Sequence, residues 1–156
     1  MTRPIADSCV VSDSTCLIGL ERIKRLDILP KLYSRFYIPL AVKAEIGFSE
    51  PWMTVCEVKN TALVSSLRTQ LDWGESEAIA LALDLKAAVL LVDGKKARKV
   101  AAQFDIVLTG TAGMLLKAKR QGVISSVAPI LSALEAVDFR LSYSLRHRTL
   151  ELADEL

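Results

Sequence analysis

Apolar positions along the chain follow two periodicities that predict alternating strands and helices. Short continuous apolar runs are typical of strands in a parallel sheet, and apolar residues three and four positions apart are typical of helices. The predicted strands are residues 9–11, 35–38, 53–58, 88–92 and 106–108. The predicted helices are residues 17–26, 39–46, 62–71, 78–85, 95–103, 112–120 and 126–136, followed by a helical tail from residue 142. This alternation predicts an α/β domain with a mostly parallel central sheet and helices on both faces.

The length and composition fit a single domain with a substantial core. The chain has 156 residues, of which 51% are hydrophobic and 24% are charged, which excludes a disordered tail or a low-complexity linker. We expect one domain over residues 1–156, with a core of about 9–140 followed by the helical tail. A net charge of +2 is too small to indicate nucleic-acid binding, so any such site must come from local basic patches.

Cysteine usage and hydropathy predict the compartment. The cysteines Cys9, Cys16 and Cys56 are an odd number and lack the spacing of zinc ligands. The longest uncharged run, residues 121–134, is shorter than the roughly 18–20 apolar residues of a membrane span. Residues 1–7 lack the apolar core of a signal peptide. These features predict a cytoplasmic protein with reduced thiols and no membrane segment.

Acidic and hydroxyl side chains follow three of the predicted strands. Asp13 comes after the first strand, Asp93 after the strand at 88–92, and Thr109 and Thr111 after the strand at 106–108. The carboxyl ends of parallel strands meet at one edge of a sheet, where open α/β sheets bind ligands. Each position also has a purely structural interpretation, because Asp is a common turn or N-cap residue. Together, the positions predict one polar crevice at that edge.

Three glutamates on predicted helices extend this acidic set. Glu45 lies at the margin of an apolar stripe, which suits either a cleft or the protein surface. Glu75 and Glu77 lie in the first turn of a helix, where acids also stabilise the helix dipole by about 0.3–1 kcal/mol. This helix carries no further charge until Asp84, so these two acids are the polar groups that can face a crevice at that end.

A crevice shared by these carboxylates predicts a divalent metal ion. Closely packed carboxylates repel one another and bind protons unless a cation neutralises them. Their hard oxygen atoms suit Mg²⁺ or Mn²⁺, and Mg²⁺ takes few protein carboxylates and keeps water and phosphate oxygens as its other ligands. Such a site activates water and stabilises the charge of phosphodiester cleavage. The predicted chemistry is metal-dependent hydrolysis without a covalent nucleophile.

Five segments carry a family resemblance through their order and spacing. They are residues 11–18, 38–46, 74–82, 90–93 and 109–119. The chain resembles the PIN-domain family, and within it the VapC-like branch of predicted nucleic-acid-binding proteins and ribonucleases, over about residues 9–140. The resemblance implies a PIN fold and a metal-dependent endoribonuclease that cleaves RNA, often as the toxin of a toxin–antitoxin pair. It also implies a small antitoxin partner and a homodimer.

The resemblance assigns roles by position in this sequence. The matching acids are Asp13, Glu45 and Asp93 as the family's first, second and fourth acids, with Glu75 or Glu77 as the third. These acids would hold Mg²⁺ or Mn²⁺, and the catalytic set would be Asp13, Glu45, Glu75 and Asp93. Thr15 matches the small hydroxyl residue that holds Asp13 or a metal-bound water. The threonines at positions 109 and 111 would support this set.

Two positions depart from the family pattern, and a basic segment follows them. Cys16 stands where proline is common in this branch, and Gly94 replaces an acid often found at that position. The glycine removes one carboxylate from the metal site that the resemblance implies. Lys95, Lys96 and Arg98 are candidates for binding RNA phosphates, although a solvated helix face has the same composition.

The sequence leaves a second function open. A catalytically silent PIN-fold module would bind nucleic acid or a partner protein in a regulatory role. Gly94 favours this alternative, whereas the retained acidic positions favour the nuclease. A nucleotide-binding Rossmann protein is a weaker third hypothesis, because the chain lacks both the dinucleotide glycine fingerprint and the phosphate-loop motif.

Overall fold

The computed structural model describes residues 5–156, with side chains from Cys9 onward. Residues 1–4, part of the segment in which the sequence predicts no signal peptide, lie outside this range. The described elements are β1 (Ile5–Ser12), α1 (Ser14–Arg22), α2 (Ile28–Leu32), β2 (Tyr33–Pro39), α3 (Leu40–Ile46), β3 (Met53–Cys56), α4 (Thr61–Leu67), α5 (Trp73–Leu85), β4 (Val89–Leu91), α6 (Lys95–Ala101), a 3-10 helix (Ala102–Phe104), β5 (Leu108–Thr109), α7 (Thr111–Arg120), α8 (Ala128–Ala136) and α9 (Tyr143–Leu152).

The strands form one parallel sheet with β1 at its centre. Within the described residues the order is β3-β2-β1-β4-β5, and every neighbouring pair is parallel. The chain first builds the sheet outward from β1 through β2 and β3, then returns to the other side of β1 with β4. The Asp13 N–H donates to the carbonyl of Leu91 at 2.9 Å, which extends the β1–β4 pairing to the end of β1. The predicted parallel α/β sheet is therefore confirmed.

Side chains of the central strands alternate between two hydrophobic cores. Val10 and Leu91 lie in one core, and Val11 and Leu90 lie in the other. Helices α1, α2, α7 and α8 pack into the first core, while α4, α5 and α6 pack into the second. The predicted placement of helices on both faces is therefore confirmed. None of the helices within residues 5–156 combines the length and the apolar character needed to cross a membrane.

The region after β1 differs from the single helix predicted over residues 17–26. Helix α1 starts earlier, at Ser14, because the Asp13 side chain caps it. It ends at Arg22, and Lys24 then adopts a positive φ of 59° before α2 begins. Pro30 lies inside α2, because a residue in the first turn of a helix needs no intrahelical N–H donor.

The C-terminal segment is attached to the sheet-covering helices through Glu155. The Glu155 carboxylate accepts hydrogen bonds from the backbone N–H groups of Val127 at 2.7 Å and Ala128 at 2.8 Å. Lys119 donates to the same carboxylate at 3.0 Å. Glu155 therefore satisfies two donors at the start of α8 and pairs with a cation of α7.

Replacing Glu155 with Ala is expected to lower the free energy of unfolding by about 1–3 kcal/mol, because buried donors lose their acceptor. The backbone donors of Val127 and Ala128 and the nearby Lys119 hold the pKa of Glu155 below its usual value. Its contribution is therefore fully present at neutral pH and is lost as the pH falls through the folded-state pKa. Urea denaturation at pH 7 measures the change.

Glu151→Ala is the matched control. Glu151 forms an exposed ion pair with Arg148, whose side chain is 65% accessible, and such pairs contribute little. We expect this variant to stay within about 0.5 kcal/mol of the parent. Equal losses in the two variants would contradict the anchoring role of Glu155.

Candidate active site

Asp13 is a buried carboxylate at the end of the central strand. It is 5% exposed, and its Oδ1 accepts a hydrogen bond from the Ser14 N–H at 2.8 Å as the N-cap of α1. Burial raises the pKa of Asp13 to about 7, the Ser14 N–H opposes the rise, and the negative charges of Glu75, Asp72 and Glu45 add to it. Asp13 therefore lies in a pocket with uncompensated negative charge.

Glu45 lies beside Asp13, although α3 carries it from 32 positions further along the chain. The Ser14 hydroxyl donates to Glu45 Oε2 at 3.1 Å. A Cβ atom on Gly74 would overlap Glu45 Oε1 and would lie 3.2 Å from Asp13 Oδ1. Both carboxylates thus rest against one backbone position at the start of α5. Ser14 links them, with its backbone N–H on Asp13 and its hydroxyl on Glu45.

Asp93 follows β4 and is held by Thr111. The Thr111 N–H donates to Asp93 Oδ1 at 2.8 Å, and the Thr111 hydroxyl donates to Oδ2 at 2.6 Å. A Cβ atom on Gly110 would lie 2.9 Å from Asp93 Oδ1 and 3.2 Å from Arg98 Nη1. Because β1 and β4 are neighbours, Asp93 and Asp13 occupy adjacent strand ends at the point where the sheet order reverses, the usual ligand crevice of such sheets.

Glu75 reaches from α5 toward the segment that carries Asp93. Its backbone N–H donates to Asp72 at 2.8 Å and its Oε1 accepts from the Asp72 N–H at 3.4 Å, which forms a capping box. Its other oxygen, Oε2, lies 2.6 Å from where a Cβ of Gly94 would be. Burial and the negative charge of Asp72 raise the pKa of Glu75.

Glu77 lies in a different environment. Its Oε1 accepts a hydrogen bond from the N–H of Ala41 at 2.9 Å, at the start of α3. The environments of the two candidates for the third acid therefore differ: the charge of Glu75 contributes to the raised pKa of Asp13, whereas Glu77 accepts a hydrogen bond at the start of α3. The role of either residue as a metal ligand stays a prediction.

Among the described residues, three glycines make room for these carboxylates. Gly74 faces Glu45, Gly94 faces Glu75, and Gly110 faces Asp93. Gly94 has φ −57° and Gly110 has φ −102°, which any residue adopts, so space rather than backbone conformation requires glycine here. Gly94, which the sequence presents as a missing acid, is thus the position that admits the carboxylate of Glu75.

The acids approach one another but do not form a closed metal cage. In the part of the chain that the structure describes, no group of three or more His, Cys, Asp or Glu side chains is arranged to hold a metal ion. An open site of one or two carboxylates is what Mg²⁺ typically uses. The donor set fits such an ion, because Asp13 and Glu45 present hard oxygen atoms and the pKa of Asp13 is raised by burial and by neighbouring negative charge, both of which a cation would offset.

The other predicted residues surround this acidic centre. Thr15 is exposed at the edge of a cavity that also borders Asp93, whereas the hydroxyl that links two acids belongs to Ser14. The Thr109 hydroxyl donates to the Gly110 carbonyl at 3.3 Å. Lys95 and Lys96 are exposed, while Arg98 is half-buried and donates to the Val92 carbonyl at 2.9 Å. The two lysines are therefore available to a ligand, and Arg98 supports the segment that carries Asp93.

Sequence reasoning missed Ser14 and Asp72 as members of the site. Asp72 and Glu75 show the capping-box spacing, so this pair was available from the sequence. Ser14 follows Asp13 directly, but its contact with Glu45 depends on the packing of α3 against α1.

A second cavity, of 570 Å³, lies on the Glu45 side of the acids. Its lining residues are Ala41, Ala44, Glu45, Arg68, Asp72, Trp73 and Gly74. Trp73 is 56% exposed, and the Arg68 guanidinium stacks over its ring at 4.3 Å. An exposed aromatic ring with a stacked cation is a surface on which nucleic-acid bases bind.

Comparison with known proteins identifies the family. Residues 9–155 match a family model described as a PIN domain. This match spans nearly the whole chain, so the protein belongs to the PIN-domain family, whose members are generally nucleases that act on nucleic acid and typically use divalent metals. The search of curated proteins gives no match to the chain. The resemblance to PIN domains is confirmed, and the VapC-like branch stays a prediction.

The metal-free protein is expected to lose stability as the pH rises from about 4 to 7. An unfolded Asp has a pKa of about 3.9, whereas folded Asp13 titrates near 7, so the folded state binds more protons in this interval. The loss attributable to Asp13 is roughly 4 kcal/mol across the interval. Urea denaturation in EDTA at several pH values, with Asp13→Asn as the reference, measures it. Parallel pH profiles for the two proteins would contradict the electrostatic description of the pocket.

Proposed function

We propose that the protein is a divalent-metal-dependent endoribonuclease that hydrolyses RNA phosphodiester bonds. The observation that carries this proposal is the buried carboxylate of Asp13, crowded by Glu45 and Glu75 at the edge of the sheet. Within residues 9–156, none of these three acids forms an ion pair with a protein cation. Their negative charge is available to a metal ion and, through it, to a phosphate.

In this proposal four acids bind the metal ion, and neighbouring hydroxyl groups orient them. Asp13, Glu45, Glu75 and Asp93 would hold Mg²⁺ or Mn²⁺, with Glu77 as a further candidate. When bound, such an ion stabilises negative charge on the phosphate oxygens and makes water more acidic. Ser14 and Thr111 orient the carboxylates, so little reorganisation accompanies the reaction.

Glu75 reaches from α5 toward the segment that carries Asp93, where it would bind the ion directly or orient the attacking water. Its Oε2 lies over Gly94, between the helix that carries Glu75 and the segment that carries Asp93. The small size of Gly94 is what keeps this carboxylate inside the site.

The surroundings of the acids favour a single-stranded nucleic acid. Lys95 and Lys96 are exposed on one side and suit phosphates, and Trp73 with Arg68 is exposed on the other side and suits bases. The choice of RNA, the VapC-like branch, a toxin role with an antitoxin partner, a homodimer and a cytoplasmic location rest on the sequence and its resemblance to that branch.

One observation favours a catalytically silent binding module instead. The acids within the described residues do not form a ready-made metal cage. A silent module would show little thermal stabilisation by Mn²⁺, whereas a ligand at 100 times its Kd stabilises the folded state by about 2.7 kcal/mol.

Asp13→Asn is expected to reduce metal-dependent RNA cleavage by at least about 100-fold, because it removes the most buried charge of the site while keeping its shape. The same variant should lose the rise in Tm that Mn²⁺ gives the parent. Cleavage of a fluorescent single-stranded RNA and differential scanning fluorimetry are the two measurements.

Asp105→Asn is the matched control for this experiment. Asp105 is exposed before β5, at the opposite edge of the sheet, and its φ of 59° suits asparagine. The control should cleave RNA and respond to Mn²⁺ as the parent does. If Asp13→Asn cuts as fast as this control, the nuclease proposal is wrong.

Gly74→Ala separates metal binding from folding. The added methyl group would displace the carboxylate of Glu45, a flexible side-chain end, so the backbone of α5 can keep its position. We expect a metal-free Tm close to that of the parent, and Mn²⁺ binding weakened about 10-fold or more. Electron paramagnetic resonance of free Mn²⁺ measures the affinity. Unchanged affinity would show that Glu45 does not contact the ion.

A further inference from the structure

A cavity of 800 Å³ opens directly beside Asp93, on the side of the acids away from Trp73. This volume falls within the range of roughly 300–1,000 Å³ that small-molecule sites typically have. Helix α1, the start of α6 and the connection from α8 to α9 enclose it.

The walls of this cavity differ in character. Asp93 lies at the end that joins the acidic centre, while the cations Arg22, Lys95 and Arg140 and the acid Asp138 lie on exposed parts of the rim. None of these three cations forms an ion pair with another residue of the described part. The remaining wall includes the apolar side chains Ile18 and Phe139.

Phe139 is held in place as part of the apolar wall. A Cβ atom on Gly19 would lie 2.8 Å from Phe139 Cδ2, so the ring packs closely onto the backbone of α1. The Arg22 side chain also donates to the Val137 carbonyl at 3.4 Å, which ties the α8–α9 connection to α1. The half-buried ring therefore borders the cavity as an apolar surface that packs on α1.

We propose that this cavity is a nucleotide subsite, which binds one nucleotide of the substrate next to the phosphate that lies at the acids. The base would contact Phe139 and Ile18, and a phosphate group would contact Lys95 and Arg140. This inference rests on the proposed nuclease function, because it assigns the acidic centre to the adjacent phosphate. It adds a specific place for the substrate and two residues, Phe139 and Arg140, to which the sequence analysis assigns no role.

The composition of the cavity favours a nucleotide over an acidic peptide. A nucleotide combines a flat apolar face with a negative charge on the same small molecule. The cavity combines the aromatic side chain of Phe139 with three cations that outnumber the exposed acid Asp138, and aromatic side chains are common contacts for nucleic-acid bases. An acidic peptide would satisfy Lys95 and Arg140 but would leave the aromatic wall without a matching group.

The test is a titration of the protein with 5′-AMP in excess Mg²⁺, followed by backbone amide NMR. We expect chemical-shift changes in residues 137–140 and at Ile18. Arg140→Glu should weaken 5′-AMP binding by about 10-fold or more, because a like charge then faces the phosphate. Arg140→Glu and the parent should share one Tm within about a few degrees, since the side chain is exposed.

Arg120→Glu is the charge-matched control. Arg120 is exposed at the far end of α7, ten residues long, whose first residue Thr111 holds Asp93. The Arg120→Glu substitution changes the net charge by the same amount as Arg140→Glu, but at the opposite edge of the sheet. If Arg140→Glu binds 5′-AMP as tightly as Arg120→Glu does, the subsite is wrong.

Two further probes test what the cavity recognises. Inorganic phosphate should bind more weakly than 5′-AMP and should leave the Phe139 amide unshifted. A hexaglutamate peptide should not compete with 5′-AMP. Equal binding of phosphate, or displacement of 5′-AMP by the peptide, would show that the cavity responds to negative charge alone and would overturn the assignment.

An RNA cleavage assay run in parallel separates this inference from the proposed function. For an active nuclease with this subsite, Arg140→Glu should raise KM about 10-fold and leave kcat within about twofold. If the parent protein cleaves RNA and Arg140→Glu has the same KM as the parent, the subsite is wrong and the nuclease function stands. A parent protein that cleaves no RNA overturns the nuclease function, whatever the 5′-AMP titration gives.

Discussion

Burial of a carboxylate among other carboxylates at the centre of the sheet edge is the constraint on which the rest of the site depends. Asp13 is almost fully buried, and its raised pKa reflects both lost hydration and the charges of its neighbours. The fold tolerates this arrangement because Ser14 and Thr111 donate hydrogen bonds to the acids and because glycines at 74 and 94 leave them space. A bound cation would turn the same crowding into a favourable interaction.

The sheet topology explains why acids from remote parts of the chain meet. Strands β1 and β4 are neighbours, but the chain continues from β1 to β2 on one side and from β4 to β5 on the other side. The residues that follow the two strands, Asp13 and Asp93, therefore lie at one crevice. Helices α3 and α5 pack against each other and bring Glu45 and Glu75 to that crevice from the side. Two hydrophobic cores hold the sheet between its helices, so the strand ends form a rigid support for the acids.

Much of the fold was predictable because hydrophobic periodicity reports burial directly. The parallel sheet and the strand-end positions of Asp13 and Asp93 follow from this pattern alone. The site was less predictable, because its details are contacts between residues distant in the chain. No local pattern shows that Gly94 gives room to Glu75, or that Ser14 rather than Thr15 contacts Glu45. The same reason explains why the sequence could not distinguish Glu75 from Glu77.

Anomalous diffraction from crystals soaked in Mn²⁺ at neutral pH tests the central claim most directly. The account predicts a manganese peak within about 2–2.3 Å of an Asp13 carboxylate oxygen, with at least one further acid of the crevice among its ligands. A saturating soak that leaves Asp13 without a metal contact, or that places manganese only elsewhere on the protein, would contradict it.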